Sequence, residues 1–232
     1  MRAVISMCQT LAKYKDDAGN DITLTDVDLA RVISDNTNVT KREMKLFVEL
    51  CKAQHLNPFI KEAYLMKFGN RPATIVVGKD VFTKRAAKNP RFKGYEAGVS
   101  ILTRDGRMIR REGSMTLDGE TTVGGWCKVY IDGYEAPMFD EVSFNEYAGR
   151  NRDGSLRSTW AEKPNTMIRK VAIVHALREA FPADFQGMYD AAEMGVDVPA
   201  EVPAAPVEAV AEPEPTMQEE PPTAAEYYEE EF

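Results

Sequence analysis

The chain has 232 residues, of which 44% are hydrophobic and 28% are charged, and its formal net charge is −8. A chain of this length and apolar content can bury a core, which excludes fibrous, collagen-like and wholly disordered proteins. Its longest apolar run is about five residues, whereas a membrane-spanning helix needs roughly 20, so we expect no membrane span.

The first 24 residues are polar and aperiodic, and we expect them to form a loose leader. Lys13 and Lys15 come too early to leave room for the apolar stretch of a secretory signal. The sequence therefore indicates a cytoplasmic protein.

Two capping patterns predict two helices after this leader. Thr25 is followed by Asp28, and Thr40 is followed by Glu43, the spacing at which a hydroxyl and a carboxylate cap the same helix start. The second helix has the clearer apolar face, which ends before Asn57-Pro58 and consists of Met44, Phe47, Val48 and Cys51.

Three β-hairpins are predicted in the middle of the chain. They pair residues 62–68 with 73–77, 95–103 with 108–115, and 126–131 with 137–142, and the second carries an Asp-Gly turn. A helix over 79–88, a short helix after Ser143 and a long helix from Pro164 to about Phe181 complete the domain. The pattern predicts an α+β fold, residues 25–195, with an antiparallel sheet flanked by helices and a long C-terminal basic helix.

Residues 196–232 differ sharply in composition from the rest. They hold eleven of the 37 acids, seven of the 13 prolines and no Lys or Arg, so residues 1–195 have 29 basic against 26 acidic side chains. Such a segment cannot bury enough apolar surface to fold by itself. We therefore expect a disordered acidic tail on a mildly basic domain.

Catalytic and metal-binding patterns are weak. Gly78-Lys79 follows a strand, but a phosphate loop needs Gly where Ala73 stands and Ser or Thr where Asp80 stands. Three distant cysteines and two histidines form no zinc pattern, disulfide framework or nucleophile pair. We therefore expect no catalytic residue and no bound metal.

One enzymatic alternative remains open, because the hairpin acids could hold Mg²⁺ in a nuclease. These acids are Asp118, Glu120, Asp132, Asp140 and Glu141. No adjacent D/E-x-K pattern completes a nuclease signature, and turn or solvated strand positions are the favoured explanation of the acids.

Basic residues form three groups that would suit contact with a nucleic-acid backbone. The first group is Lys79, Lys84, Arg85, Lys88, Arg91 and Lys93. The second is Arg104, Arg107, Arg110 and Arg111. The third is Arg150, Arg152, Arg157, Lys163, Arg169, Lys170 and Arg178. Candidate platforms for bases are Phe92, Trp126, Tyr130 and Trp160. Each group has the alternative of a solvated face, and each aromatic residue that of a core position.

Four segments of the chain resemble motifs of a known protein family. Residues 56–64, LNPFIKEAY, resemble the L-N-P-x-x-K-E-x-Y motif, and residues 76–80, VVGKD, resemble V-V-G-x-D. Residues 160–181 resemble a W-x-x-x-P…M-x-R…A-R-x-A-F segment, and Gly187, Tyr189, Asp190 and Glu193 match the closing G-x-Y-D motif. Together these motifs resemble those of the phage RecT/Redβ (Bet) single-strand annealing proteins, and the resemblance covers roughly residues 25–195.

The resemblance implies a recombinase that binds single-stranded DNA, forms rings or helical filaments and anneals complementary strands without ATP in a bacterial cytoplasm. No cofactor is required, and Mg²⁺ at most modulates DNA binding. It implies DNA contacts at Lys61, Lys79, Lys163, Arg169 and Arg178, to which composition adds Arg85, Arg91, Trp160 and Lys170. Asn165-Thr166 stand where some relatives have two basic residues, so these positions are not assigned.

Expected partners are single-stranded DNA, the annealed duplex, further copies of the chain, a phage exonuclease and a host single-stranded-DNA-binding protein. The tail ends in acids and Phe232, which suggests a segment that docks on a partner or competes with DNA. A solubilising tail is the simpler alternative. A passive single-strand coat protein is a third interpretation of the chain, beside the annealing protein and the nuclease.

Overall fold

The computed structural model describes residues 9–32, 39–67 and 72–194, which form helices and antiparallel strands. The strands are β1 Thr10–Lys15, β2 Asp21–Thr25, β3 Ala63–Met66, β4 Thr74–Val77, β5 Phe92–Leu102, β6 Met108–Glu112, β7 Thr121–Ile131 and β8 Met138–Ser143. The helices are α1 Asp26–Val32, α2 Lys41–Ala53, α3 Lys79–Lys88, α4 Phe144–Tyr147, α5 Thr159–Glu162 and α6 Pro164–Ala180, with a 3₁₀ turn at Pro58–Ile60. This is the predicted α+β fold with antiparallel sheets. The predicted acidic tail lies outside the described residues.

The predicted loose leader is wrong for residues 10–24, because β1 and β2 pair there as an antiparallel hairpin. Ile22 and Leu24 alternate with threonines along β2, and both side chains are buried. Tyr14 in β1 donates its hydroxyl hydrogen to the backbone oxygen of Leu56 at 2.6 Å. Five residues are enough for this alternation, but they give too short a pattern to stand out among polar neighbours.

The capping box predicted at Thr40 is confirmed at the start of α2. The backbone N–H of Glu43 donates to Thr40 Oγ1 at 3.3 Å, and the N–H of Thr40 donates to Glu43 Oε2 at 2.7 Å. Phe47, Val48 and Cys51 on the following turns are buried, as the apolar spacing predicts. The local sequence therefore determines both where this helix begins and which face it buries.

A four-stranded antiparallel sheet in the order β6-β5-β7-β8 forms the centre of the described fold. Helix α6 packs on β7 and β8, and it comes so close that a Cβ on Gly125 would lie 2.5 Å from the backbone oxygen of Ile168. Seven of the 17 residues of α6 are apolar and buried, including Val171, Val174 and Leu177. None of the described helices combines the length and apolar character needed to cross a bilayer.

Candidate nucleic-acid interface

Three of the four motif segments adjoin in space although they are far apart in sequence. Strand β3, in the segment 56–64, pairs with β4, so that Tyr64 lies opposite Val76 and Ala63 opposite Val77. The backbone N–H of Val77 then donates to the backbone oxygen of Tyr189 at 2.8 Å. The segments 56–64, 76–80 and 187–193 thus form one continuous structure.

Two ion pairs connect the fourth segment, helix α6, to residues 187–193. Lys170 Nζ lies 3.1 Å from Asp190 Oδ2, and Arg178 Nη1 lies 2.6 Å from Glu193 Oε1. The guanidinium of Arg178 also covers the ring of Tyr189, 4.4 Å from its centroid. These contacts fix two of the predicted DNA-binding cations against one short segment.

Both carboxylates in these ion pairs are shielded from water. Asp190 is 0% exposed and accepts the backbone N–H of Ala192 at 2.9 Å. Burial raises the pKa of Asp190 and of Glu193, although the nearby cations oppose this. In the free chain Lys170 and Arg178 therefore compensate buried charge, so their first role is structural.

The sequence analysis assigned Arg85 and Trp160 as DNA contacts, but both side chains are occupied by contacts within the protein. Arg85 Nε is 2.9 Å from Asp17 Oδ2, and its Nη1 donates to Gln54 Oε1 at 2.8 Å. Trp160 is 1% exposed and meets Phe144 edge to face, with ring centroids 5.8 Å apart. The ring of Trp160 therefore lies in the core, and its position does not support the assignment as a base platform.

Lys61 and Lys163 are exposed, Lys79 is half-buried, and Lys79 lies 3.3 Å from Asp80. Lys79 is the first residue of α3, and Lys163 immediately precedes α6. A cation at a helix N-terminus is opposed by the helix dipole. The presence of a lysine at these two positions is therefore not explained by a gain in helix stability. Both lysines are suited to binding an anionic ligand.

The remaining two predicted DNA contacts lie elsewhere. Arg91 is exposed, and its guanidinium is 5.4 Å from the ring centroid of Tyr134. Arg169 donates from Nε to the backbone oxygen of Ala97 at 3.1 Å, next to the central sheet. Lys163 and Arg178 are about 22 Å apart along α6, from the helical rise per residue. Lys79 and Lys170 both oppose the rise in the pKa of buried Asp190, and Arg178 pairs with Glu193 three residues further on. The structure thus gathers these three cations but not the whole predicted set.

Many other cations of the sequence groups have acidic partners. Three arginines of the second group pair with Asp105, Glu141 and Glu120 at 2.5 to 2.6 Å. In the first group Lys84 pairs with Glu62 at 2.8 Å. Asp105 lies in the same turn as its partner Arg107, but charge spacing along the chain could not identify Glu141 or Glu62, which are 31 and 22 residues from their partners.

The acids considered for a Mg²⁺ site do not come together. Asp140 pairs with His175 at 2.7 Å, Glu141 with Arg110, and the bidentate partner of Glu120 is Arg111. Among the residues that the structure describes, no three side chains of metal-ligand type are clustered. Arg110 holds the pKa of Glu141 below its usual value, consistent with an ion pair at the sheet surface.

A buried polar network lies beneath the motif 56–64. The amide of Asn57 donates from Nδ2 to Asp16 Oδ2 at 3.1 Å, and the backbone N–H of Asn57 donates to Glu62 Oε2 at 2.8 Å. Asp16, Asn57 and Glu62 are all buried, and Lys84 pairs with Glu62. The network connects the N-terminal hairpin, this motif and α3, which the sequence alone did not reveal.

Replacing Asp16 by Asn should flatten the acid side of the stability profile. Hydrogen bonds, first from the Asn20 side chain, lower the pKa of Asp16 from 3.8 to about 2. Its stabilisation is therefore complete above the unfolded value and is lost as the pH falls through about 2. Urea unfolding from pH 6 to pH 2 should show a smaller loss for Asp16→Asn than for the wild type. Asp21→Asn, at the exposed first residue of β2, is the control and should retain the wild-type profile.

The fold and this arrangement define an α+β protein whose motif segments meet beside paired cations. A family model described as RecT family matches residues 23–207. The chain belongs to the RecT family, which confirms the resemblance seen in the motifs. An uncharacterized protein of Ureaplasma parvum serovar 3, UU154, is 33% identical over 156 residues, 66% of this chain and 62% of that protein. The chain thus spans less than two thirds of that relative's length.

Proposed function

We propose that this protein binds single-stranded DNA, assembles on it and anneals complementary strands without ATP in phage-type homologous recombination. The observation that carries the proposal is the family match over residues 23–207, whose motif segments lie together in the fold. No covalent bond is made or broken in such a reaction, so no catalytic residue is assigned. No cofactor is required, and Mg²⁺ acts at most on the strength of DNA binding.

The cations suit a ligand that is recognised through its phosphates. Lys61, Lys79 and Lys163 neutralise backbone phosphates and leave the base edges open to a second strand. Lys170 and Arg178 add positive charge beside Lys79, although Asp190 and Glu193 reduce it, and Arg169 adds positive charge next to the central sheet. Recognition of this kind does not depend on sequence, as annealing of any complementary pair requires.

The assembly and partners follow from the same function. Further copies of the chain form a ring or helical filament on the DNA, which then holds the annealed duplex. A phage exonuclease supplies the single strand, and a host single-stranded-DNA-binding protein is the second partner, all in the bacterial cytoplasm. The acidic tail, residues 196–232, either docks on such a partner or competes with DNA for the cations. Deleting it should raise DNA affinity or abolish partner recruitment, and no change in either would leave a solubilising role.

The variant Lys79→Ala/Lys163→Ala tests the phosphate contacts. It should bind oligo-dT and mixed-sequence strands more weakly by the same factor, because phosphates carry no sequence information. The slope of log affinity against log salt should become shallower by about 0.7 for each phosphate that the protein no longer neutralises. Fluorescence anisotropy at several salt concentrations measures both.

Lys13→Ala/Lys15→Ala is the matched control, since it removes the same charge from exposed positions on β1. Its affinity and salt slope should stay close to those of the wild type. Equal slopes for Lys79→Ala/Lys163→Ala and the wild type would show that neither lysine contacts a phosphate.

A further inference from the structure

Two large apolar side chains stand in solvent at the tip of the motif 56–64. Phe59 is 47% exposed and Ile60 is 61% exposed in the 3₁₀ turn, and exposed Lys61 follows directly. We propose that Phe59 and Ile60 form a base-contacting site, on which the bases of a single DNA strand stack while Lys61 meets the adjoining phosphate. This inference rests on the proposed function and names the residues that contact bases in it.

The turn holds this tip in one conformation. Asn57 Oδ1 accepts the backbone N–H of Phe59 at 3.1 Å, and the N–H of Lys61 donates to the backbone oxygen of Pro58 at 3.1 Å. Lys61 itself adopts a left-handed conformation, with φ 63°. A side chain on such a turn loses less conformational freedom on binding than one on a loose loop.

The tip is also anchored from below. Leu56 and Pro58 are buried beside it, and Asn57 belongs to the network with Asp16 and Glu62. The fold thus buries residues 56–58 before the tip and Glu62 after it, while Phe59, Ile60 and Lys61 stay exposed. Core packing does not explain their apolar character, and a ligand with an apolar face does.

The charges beside the tip favour a nucleic-acid strand as the occupant. The backbone N–H of Gly78 donates to the backbone oxygen of Glu62 at 3.0 Å, and a Cβ on Gly78 would lie 3.3 Å from the backbone oxygen of Lys61. This contact brings the chain at Lys61 and at Lys79 close together. A single strand offers flat apolar base faces and anionic phosphates at adjacent positions, which matches an apolar pair beside two lysines. A second copy of the chain would instead have to desolvate Lys61 at the same tip.

The test compares a base-bearing oligonucleotide with an abasic one of equal length, which keeps the phosphates and lacks the stacking surface. The wild-type protein should bind the base-bearing strand more tightly. Phe59→Ala/Ile60→Ala should lower that affinity on the order of 10-fold and leave binding to the abasic strand unchanged. Lys61→Gln should weaken binding to both strands by the same factor.

Leu46→Ala is the matched control, because Leu46 is a 56% exposed apolar residue on α2. It should leave the preference for base-bearing DNA unchanged. If the wild-type protein binds neither the base-bearing nor the abasic strand, the proposed function itself is contradicted. Wild-type binding with a preference that survives Phe59→Ala/Ile60→Ala would overturn the base-contacting site alone. If Phe59→Ala/Ile60→Ala forms a smaller assembly in light scattering and keeps the preference for base-bearing DNA, the tip is a contact between subunits. That result would also overturn the base-contacting site.

Discussion

Replacing Trp160 by alanine is expected to lower the free energy of unfolding by about 3–5 kcal/mol. The indole is fully enclosed, meets Phe144 edge to face and lies so near Gly149 that a Cβ there would be 3.1 Å from Trp160 Cδ1. Removing it leaves a cavity under α5 that the neighbouring backbone cannot fill without moving. Urea unfolding followed by far-ultraviolet circular dichroism measures the loss.

Tyr134→Ala is the control for this change, because Tyr134 is an exposed aromatic residue whose ring faces the guanidinium of Arg91. Its cost should be about 1 kcal/mol or less. The folded fraction of Trp160→Ala should bind base-bearing and abasic strands with the wild-type preference. Unchanged stability together with an abolished base preference would return Trp160 to the DNA-contacting residues.

Replacing Lys170 by methionine should cost about 3–5 kcal/mol at neutral pH, because it leaves the fully buried carboxylate of Asp190 without its cation. The pKa of Asp190, already raised by burial, should rise further. A carboxyl group whose pKa is higher in the folded than in the unfolded state stabilises the fold at pH values below its unfolded-state pKa. This stabilisation is lost as the pH rises through its folded-state pKa. The effect of Lys170→Met should therefore shrink when unfolding is measured at acidic pH.

The second variant for this pair is Lys170→Met/Asp190→Asn, which removes both charges and should recover much of the stability at neutral pH. Lys163→Ala, on the exposed start of the same helix, should change the free energy of unfolding by less than about 0.5 kcal/mol. An equal, pH-independent cost for Lys170→Met alone and for the double variant would show that Asp190 is not the group that Lys170 compensates.

Capping and turn motifs in the sequence correctly predicted the elements that depend on residues a few positions apart. Thr40 and Glu43 cap α2 reciprocally, and Asp105-Gly106 lies in the turn between β5 and β6, because each depends on residues a few positions apart. Strand β7 starts at Thr121, earlier than predicted. In a sequence, a pair of glycines such as Gly124-Gly125 indicates the interruption of a strand. In the fold, Gly125 instead permits the close approach of α6.

The candidate site was predictable to a smaller extent, since it depends on contacts between distant segments. The motif match located Lys61, Lys79 and Lys163, but charge spacing could not show that Arg85 has Asp17 as its partner. The burial of Trp160 is decided by α5, whose orientation no periodic pattern encodes. The exposure of Phe59 and Ile60 could have been predicted from the sequence. They directly follow Asn57-Pro58, where a helix cannot continue, so their apolar side chains do not belong to the buried face of a helix.

The most direct test of the central claim mixes two complementary dye-labelled oligonucleotides with the purified chain, with no nucleotide present and with or without Mg²⁺. Quenching follows pairing, and a denaturing gel follows strand length. The account predicts faster pairing of intact strands without ATP, and slower pairing with Lys79→Ala/Lys163→Ala than with the wild type. Pairing slowed below the rate of the protein-free strands would contradict it and indicate a passive coat protein. Strands shortened in the presence of Mg²⁺ would contradict it in favour of a nuclease.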